Sequence, residues 1–124
     1  QSDLSGYKLL VLPDMIAVDA ALRGKLDAFV ANGGALIASH RSGLTPDGTG
    51  FASPIFGVDM VGPAPYSPDF WVLDGTGLGK GLPATELVMY LQGLEVKATG
   101  AKPLLMANVP YFNRTWEHFS SHRH

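Results

Sequence analysis

The chain has no cysteine. Disulfides, thiolate metal sites and a cysteine nucleophile are therefore excluded, although the compartment stays open. Charge is also sparse: acidic and basic residues make up 16% of the chain and the net charge is −2. No basic block or stripe occurs, so the positive footprint that a phosphate backbone requires is missing and nucleic acid is not an expected partner. No apolar run approaches the roughly 20 residues of a membrane span, so a membrane is not an expected partner either. The opening residues, QSDLSG, do not read as a signal peptide. No internal repeat or low-complexity segment appears. What remains is an ordinary, rather apolar composition, 46% hydrophobic over 124 residues, enough to bury a core as a single domain spanning 1–124.

The most structured stretch runs from Tyr7 to His40. Residues 8–12, KLLVL, show no polar alternation after the first position, as in a parallel strand covered on both faces. Pro13 and Asp14 break the run. The period then changes: Leu22, Leu26, Phe29 and Val30 fall on one stripe of an α-helix, with Arg23, Lys25 and Asp27 largely off it. Asp19 suits the N-cap, and Asn32-Gly33-Gly34 suits the stop, because glycine accepts the left-handed conformation that ends helices. Residues 35–39 return to a short buried strand. Strand, crossover helix and strand make a βαβ unit.

The remaining chain is more loosely patterned. Residues 41–57 are rich in Gly, Ser, Thr and Pro and read as a long loop. Residues 58–61 suit a short strand, residues 70–73 are apolar and β-prone, and residues 75–83 read as turns. Residues 85–98 are expected to form a hairpin with residues 103–109, with Gly93 marking a bulge. A doubly wound sheet normally has four or more strands with helices on both faces. Only one crossover helix is evident here, so the expectation is a module cut from a longer chain, or one whose missing layer comes from a partner.

Parallel α/β sheets place their sites at the carboxyl ends of strands. Those ends carry Asp14 and the run Ser39-His40-Arg41. An acid, a histidine and a serine there are weak candidates for base, orienter and nucleophile. Against this, adjacent strand residues point to opposite faces, and Ser39 is not in a G-x-S-x-G elbow. Gly75, Gly77, Gly79 and Gly81 fit neither G-x-G-x-x-G nor the Walker spacing, and read as a turn-rich loop. His118, His122 and His124 lie close together beside Glu117, but H-E-x-x-H is missing and a fourth ligand is not evident. No metal or cofactor is expected. Aromatic residues cluster late, at Tyr66, Phe70 and Trp71 and again at Tyr111, Phe112, Trp116 and Phe119. Such rings stack on sugars, anchor interfaces or close a core under loops.

Two stretches carry a family resemblance. DLSGYKLLVLPD, the helix after it and FVANGGALIASHRSG resemble the class I glutamine-amidotransferase-like domain known as the β-galactosidase trimerisation domain. The late PYFNRTWEHFSSHRH resembles a segment of bacterial, glycoside-hydrolase-like proteins that carry such a domain after a TIM barrel. The resemblance implies a truncated α/β, flavodoxin-like parallel sheet with flanking helices, with the hairpin in its C-terminal half. It implies no amidotransferase activity, since that chemistry needs a cysteine. It also implies a non-catalytic accessory or oligomerisation module of a carbohydrate-active enzyme, whose partners are its parent catalytic barrel, identical subunits, or both. The glycosidic carboxylates would sit in that barrel. ThuA-like domains share the pattern of Gly33, Gly34 and His40, which keeps a carbohydrate-binding role open. The residues expected to bind or form an interface are His40, Arg41, Tyr111, Phe112, Arg114, Trp116 and His118. The competing expectation is a small-molecule-binding or hydrolytic domain that uses Asp14, Ser39 and His40.

Overall fold

The computed structural model describes residues 3–73 and 75–108. The late segment of Tyr111, Phe112, Arg114, Trp116 and His118, together with His122 and His124, lies outside these residues. The described chain divides into two units, the first comprising residues 3–61 and 96–101, the second residues 62–95 and 102–108.

The first unit begins with the βαβ element. Strand β1 (Leu9–Leu12) and strand β2 (Ala35–Ala38) flank helix α1 (Ala20–Ala31). The strands are parallel, with Leu9 opposite Ala35 and Val11 opposite Ile37. Asp19 caps the helix, its carboxylate accepting the Leu22 N–H at 2.8 Å. The apolar stripe does what its spacing dictates: Leu26 and Phe29 are buried and Leu22 packs on the core of Leu12, Val18 and Leu26. Arg23 and Asp27 pair across one turn on the polar side at 3.5 Å.

The helix stop reveals a second constraint on the glycine pair. Gly33 takes the left-handed turn at φ +94°, as its position after the helix requires. Gly34 has a different reason. A Cβ built there would lie 2.4 Å from the Phe29 ring, so the ring fills the space a side chain would need.

Residues 41–57 are more ordered than a Gly/Ser-rich loop suggests. Leu44 bridges to Phe51, and the turn between them is clasped by Asp47, which accepts from Thr45 and Thr49. These hydroxyls, with Thr45 first, hold the Asp47 carboxyl below its ordinary range. A short 3-10 turn follows at Pro54–Phe56, capped by the buried Ser53, whose hydroxyl also donates to Asp27 of the helix. The Gly57 carbonyl then accepts the N–H groups of Thr99, Gly100 and Ala101.

Strand β3 (Val58–Pro63) pairs with strand β6 (Leu94–Ala98), and this pair contributes residues to both units. The second unit centres on a three-stranded sheet in the order β5 (Glu86–Met89), β4 (Asp69–Val72), β7 (Met106–Asn108). Both of its pairings are antiparallel. The Asn108 amide donates to the Glu86 carboxylate at 2.8 Å, linking the outer strands.

The expected hairpin of residues 85–98 with 103–109 does not form. The chain leaves the sheet after Met89, so β5 and β6 belong to different sheets, and β7 pairs with β4. Gly93 is no bulge within a strand. It lies just before β6, where its carbonyl accepts the Ala64 N–H at 2.9 Å. Alternation marks a strand, but not its partner. Among the described residues, no helix is long and apolar enough to cross a membrane.

Candidate functional site

The carboxyl ends of β1 and β2 run into two loops, residues 13–18 and 39–44, joined by a chain of hydrogen bonds. The Ser39 hydroxyl donates to the Asp14 carboxylate at 2.7 Å and accepts the Asp14 N–H at 3.0 Å. The Arg41 N–H donates to the Asp14 carbonyl at 2.8 Å. One residue deeper, the buried Ser42 hydroxyl accepts the Ile16 N–H at 2.9 Å. The Gly43 N–H donates to the Ile16 carbonyl, and the Val18 N–H to that of Leu44.

Asp14 and His40 both have φ +51°, the only two non-glycine residues with positive φ among the described residues. Aspartate and histidine are among the side chains that tolerate this region best, though at a cost in local strain. The turn bears on the serine–histidine question. β2 ends at Ala38, so Ser39 and His40 occupy a turn, and strand alternation does not govern where their side chains go.

The structure thus brings Asp14 to Ser39, and leaves the exposed His40 side chain without a hydrogen bond among the described residues. A serine nucleophile uses a histidine as its proton acceptor and a dry pocket of donors for the developing oxyanion. Here the serine hydroxyl is committed to a carboxylate in an exposed loop, and Arg41 supplies its backbone to the tie. What the arrangement does chemically is lock two loops together. Among the described residues no group of three or more His, Asp or Glu is placed to hold a metal ion.

Sequence reasoning passed over two buried serines of the first unit. Ser42 and Ser53 are both buried, and each hydroxyl satisfies a backbone N–H. In the sequence they sit among Gly, Thr and Pro and look like ordinary loop residues. Only the tertiary partners distinguish them.

A second feature lies on the strands themselves. Leu9 and Val11 of β1 and Ile37 of β2 share one face by register, and are 49%, 57% and 54% exposed. The other face carries Leu10, Leu12 and Leu36, which pack into the core.

Comparison with known proteins bears on this same segment. Residues 1–50 match the β-galactosidase trimerisation domain family. The match contains β1, α1, β2, the open strand face and the tied loops. Over its full length the chain is also similar in structure to α-L-fucosidase isoenzyme 2 from Paenibacillus thiaminolyticus, with 37% sequence identity and a TM-score of 0.83. The chain spans 18% of the length of that protein. A comparison with curated proteins gave no match. Both matches are to domains or chains of glycoside hydrolases.

Proposed function

We propose that this chain is a non-catalytic accessory module of a glycoside hydrolase, acting through its surfaces. Its partners are identical subunits or the catalytic domain of the enzyme it belongs to. The observation that carries this reading is the open face of Leu9, Val11 and Ile37 on a parallel strand pair. Parallel sheets are stable with both faces covered. Three aliphatic side chains left about half exposed on one face are therefore contact surface. The trimerisation-family match over the same residues supports it. In the same reading, β1, α1 and β2 are the start of a flavodoxin-like, amidotransferase-like sheet without amidotransferase chemistry, and glycoside cleavage belongs to paired carboxylates elsewhere in the enzyme.

Sedimentation velocity on the purified chain tests the proposal. The expected result is concentration-dependent self-association that Val11→Asp abolishes, because a buried unpaired charge is costly at a contact. A chain that stays monomeric at every concentration removes the identical-subunit partner. Turnover of a glycoside by the purified chain overturns the module reading altogether.

One observation favours a second reading, a small-molecule-binding or hydrolytic end at Asp14, Ser39 and His40. Backbone strain collects at functional sites, and the two strained residues sit in these adjoining loops. Loss of a measured ligand affinity or activity in His40→Ala would support that reading over assembly.

A further inference from the structure

At the opposite, amino-terminal ends of β1 and β2, a half-open cavity of about 280 Å³ lies between the lead-in to β1 and the last two turns of α1. It belongs wholly to the first unit and is separate from the Asp14–Ser39 tie. Its lining includes Asp3, Ser5 and Tyr7 from the lead-in, and Lys25, Phe29 and Asn32 from the helix and its cap.

The lining has a consistent chemistry. Asp3 is anchored by accepting the Ser5 N–H at 2.9 Å, and Ser5 holds its carboxyl below the ordinary range, so it remains an acceptor down to acid pH. Lys25 supplies only donors, whereas Asn32 and Ser5 supply both donors and acceptors. Among the described lining residues, one carboxylate and one ammonium leave no surplus of either sign, so neither an anion nor a cation is favoured. Phe29 is buried and Tyr7 is half exposed, giving apolar surface beside the polar groups. The volume sits at the lower edge of small-molecule sites, enough for a single ring.

We propose that this cavity binds a neutral, polyhydroxylated ring of monosaccharide size. Each hydroxyl both donates and accepts, so one ring can bond to a carboxylate, an ammonium and an amide alike. Its C–H face lies against the aromatic surface. This proposal uses a different part of the first unit from the assembly reading, and does not depend on it.

The test is a ¹⁵N–¹H NMR titration of the full chain with methyl hexopyranosides, with glycine as a zwitterionic control of smaller size. Saturable shifts are expected at the amides of Ser5, Tyr7 and Asn32, with dissociation constants in the millimolar range. Tyr7→Ala should weaken binding at least about tenfold. Lys25→Met keeps the aliphatic stem on an exposed helical position and should weaken it too, with the helix signal in circular dichroism reporting that both variants fold. Val11→Asp should leave the titration unchanged, which separates this site from the assembly face. Shifts that stay linear in sugar, that saturate elsewhere, or that appear with glycine and not with the hexopyranosides overturn the proposal.

Discussion

The β1–β2 pair and the β5–β4–β7 sheet each leave an apolar strip open, and they reach that state by different rules. In the parallel pair, both faces are built of Leu, Val, Ile and Ala, and one face is covered by the helix while the other is open. In the antiparallel sheet, Trp71 lies opposite Leu87 and Asp69 opposite Met89, which puts these four residues on one face. Trp71, Leu87 and Met89 are 45%, 44% and 38% exposed. Antiparallel sheets commonly show one face to water, but that face is then the polar one. Here polar and apolar residues are not segregated. Phe70, Val72, Val88 and Met106 share the other face with Glu86 and Asn108, which bond to each other, while Trp71, Leu87 and Met89 lie with Asp69 on the first. The difference teaches how to read an open face. In the first unit the open strip is the second face of an all-apolar strand pair. In the second it is an apolar strip on a sheet whose two faces both mix apolar and polar residues. Exposed strips of this kind are candidates for contact surface.

The largest expected effect compares the two cores. Leu26 is 1% exposed and sits in the cluster with Leu12 and Val18, whereas Leu73 in the second unit is 6% exposed and outside it. Leu26→Ala should cost about 2–5 kcal/mol in urea unfolding and Leu73→Ala less, since the cost rises with the cavity left behind. An equal loss at both sites would mean that the second unit has a core as tight as the first. Next comes Gly34→Ala. The new Cβ would sit 2.4 Å from the Phe29 ring, and displacing a ring from a packed site costs about 1–3 kcal/mol. The same exchange at Gly24, where a Cβ would meet nothing within 4 Å, should instead stabilise the helix by up to about 1 kcal/mol. Thermal or urea midpoints of the two variants should therefore move in opposite directions.

The same contrast explains what was legible. In the first unit, the information is local. Period, cap and stop lie within residues 8–39, so the positions of β1, α1 and β2 follow from spacing, with Asp19 at the cap as its side chain demands. In the second unit, the strand segments were visible as β-prone runs, but their pairing was not. Residues 86–89 and 94–98 both alternate, and nothing in them distinguishes β4 from β3 as a partner. At the candidate site, Asp14, Ser39, His40 and Arg41 were legible from their place at the strand ends. The tie between Asp14 and Ser39 was not, because it depends on two turns whose left-handed residues are not glycines. The cavity at Asp3, Lys25 and Asn32 left no motif either, since helix and lead-in meet there only through the fold.

Asp69 offers a pH-dependent probe of the three-stranded sheet. Its Oδ1 is buried with no hydrogen-bond partner among the described residues, and burial raises its carboxyl above the ordinary value of 3.8. A folded-state value above the unfolded one means that the folded protein binds the proton more tightly. The contribution to stability is therefore complete below 3.8 and is lost as pH rises through the raised value. Asp69→Asn should remove this loss, so that the variant gains on the parent between acid and neutral pH. Urea midpoints at pH 3 and pH 7 measure it. A variant whose difference from the parent does not change with pH would show that the carboxylate finds solvent in solution.

The smallest effect is expected at His40, where two opposing contributions nearly cancel. A non-glycine residue at φ +51° carries left-handed strain of about 1–2 kcal/mol at most, less for histidine than for bulkier or branched side chains. Glycine removes that strain, but frees the unfolded chain by about 0.4–1 kcal/mol, which offsets much of the gain. His40→Gly should accordingly shift stability by less than about 1 kcal/mol, in the stabilising direction, because the exposed side chain gives up no hydrogen bond among the described residues. The equivalent exchange at Asp14 has the opposite sign. Its φ is the same, but its carboxylate accepts the Ser39 hydroxyl, and losing that bond outweighs the strain relieved. Two residues with one backbone conformation thus separate the strand-end strain from the strand-end tie. Should His40→Gly prove as costly as Asp14→Gly, the imidazole would have a partner in solution, and the second functional reading would gain at the expense of assembly.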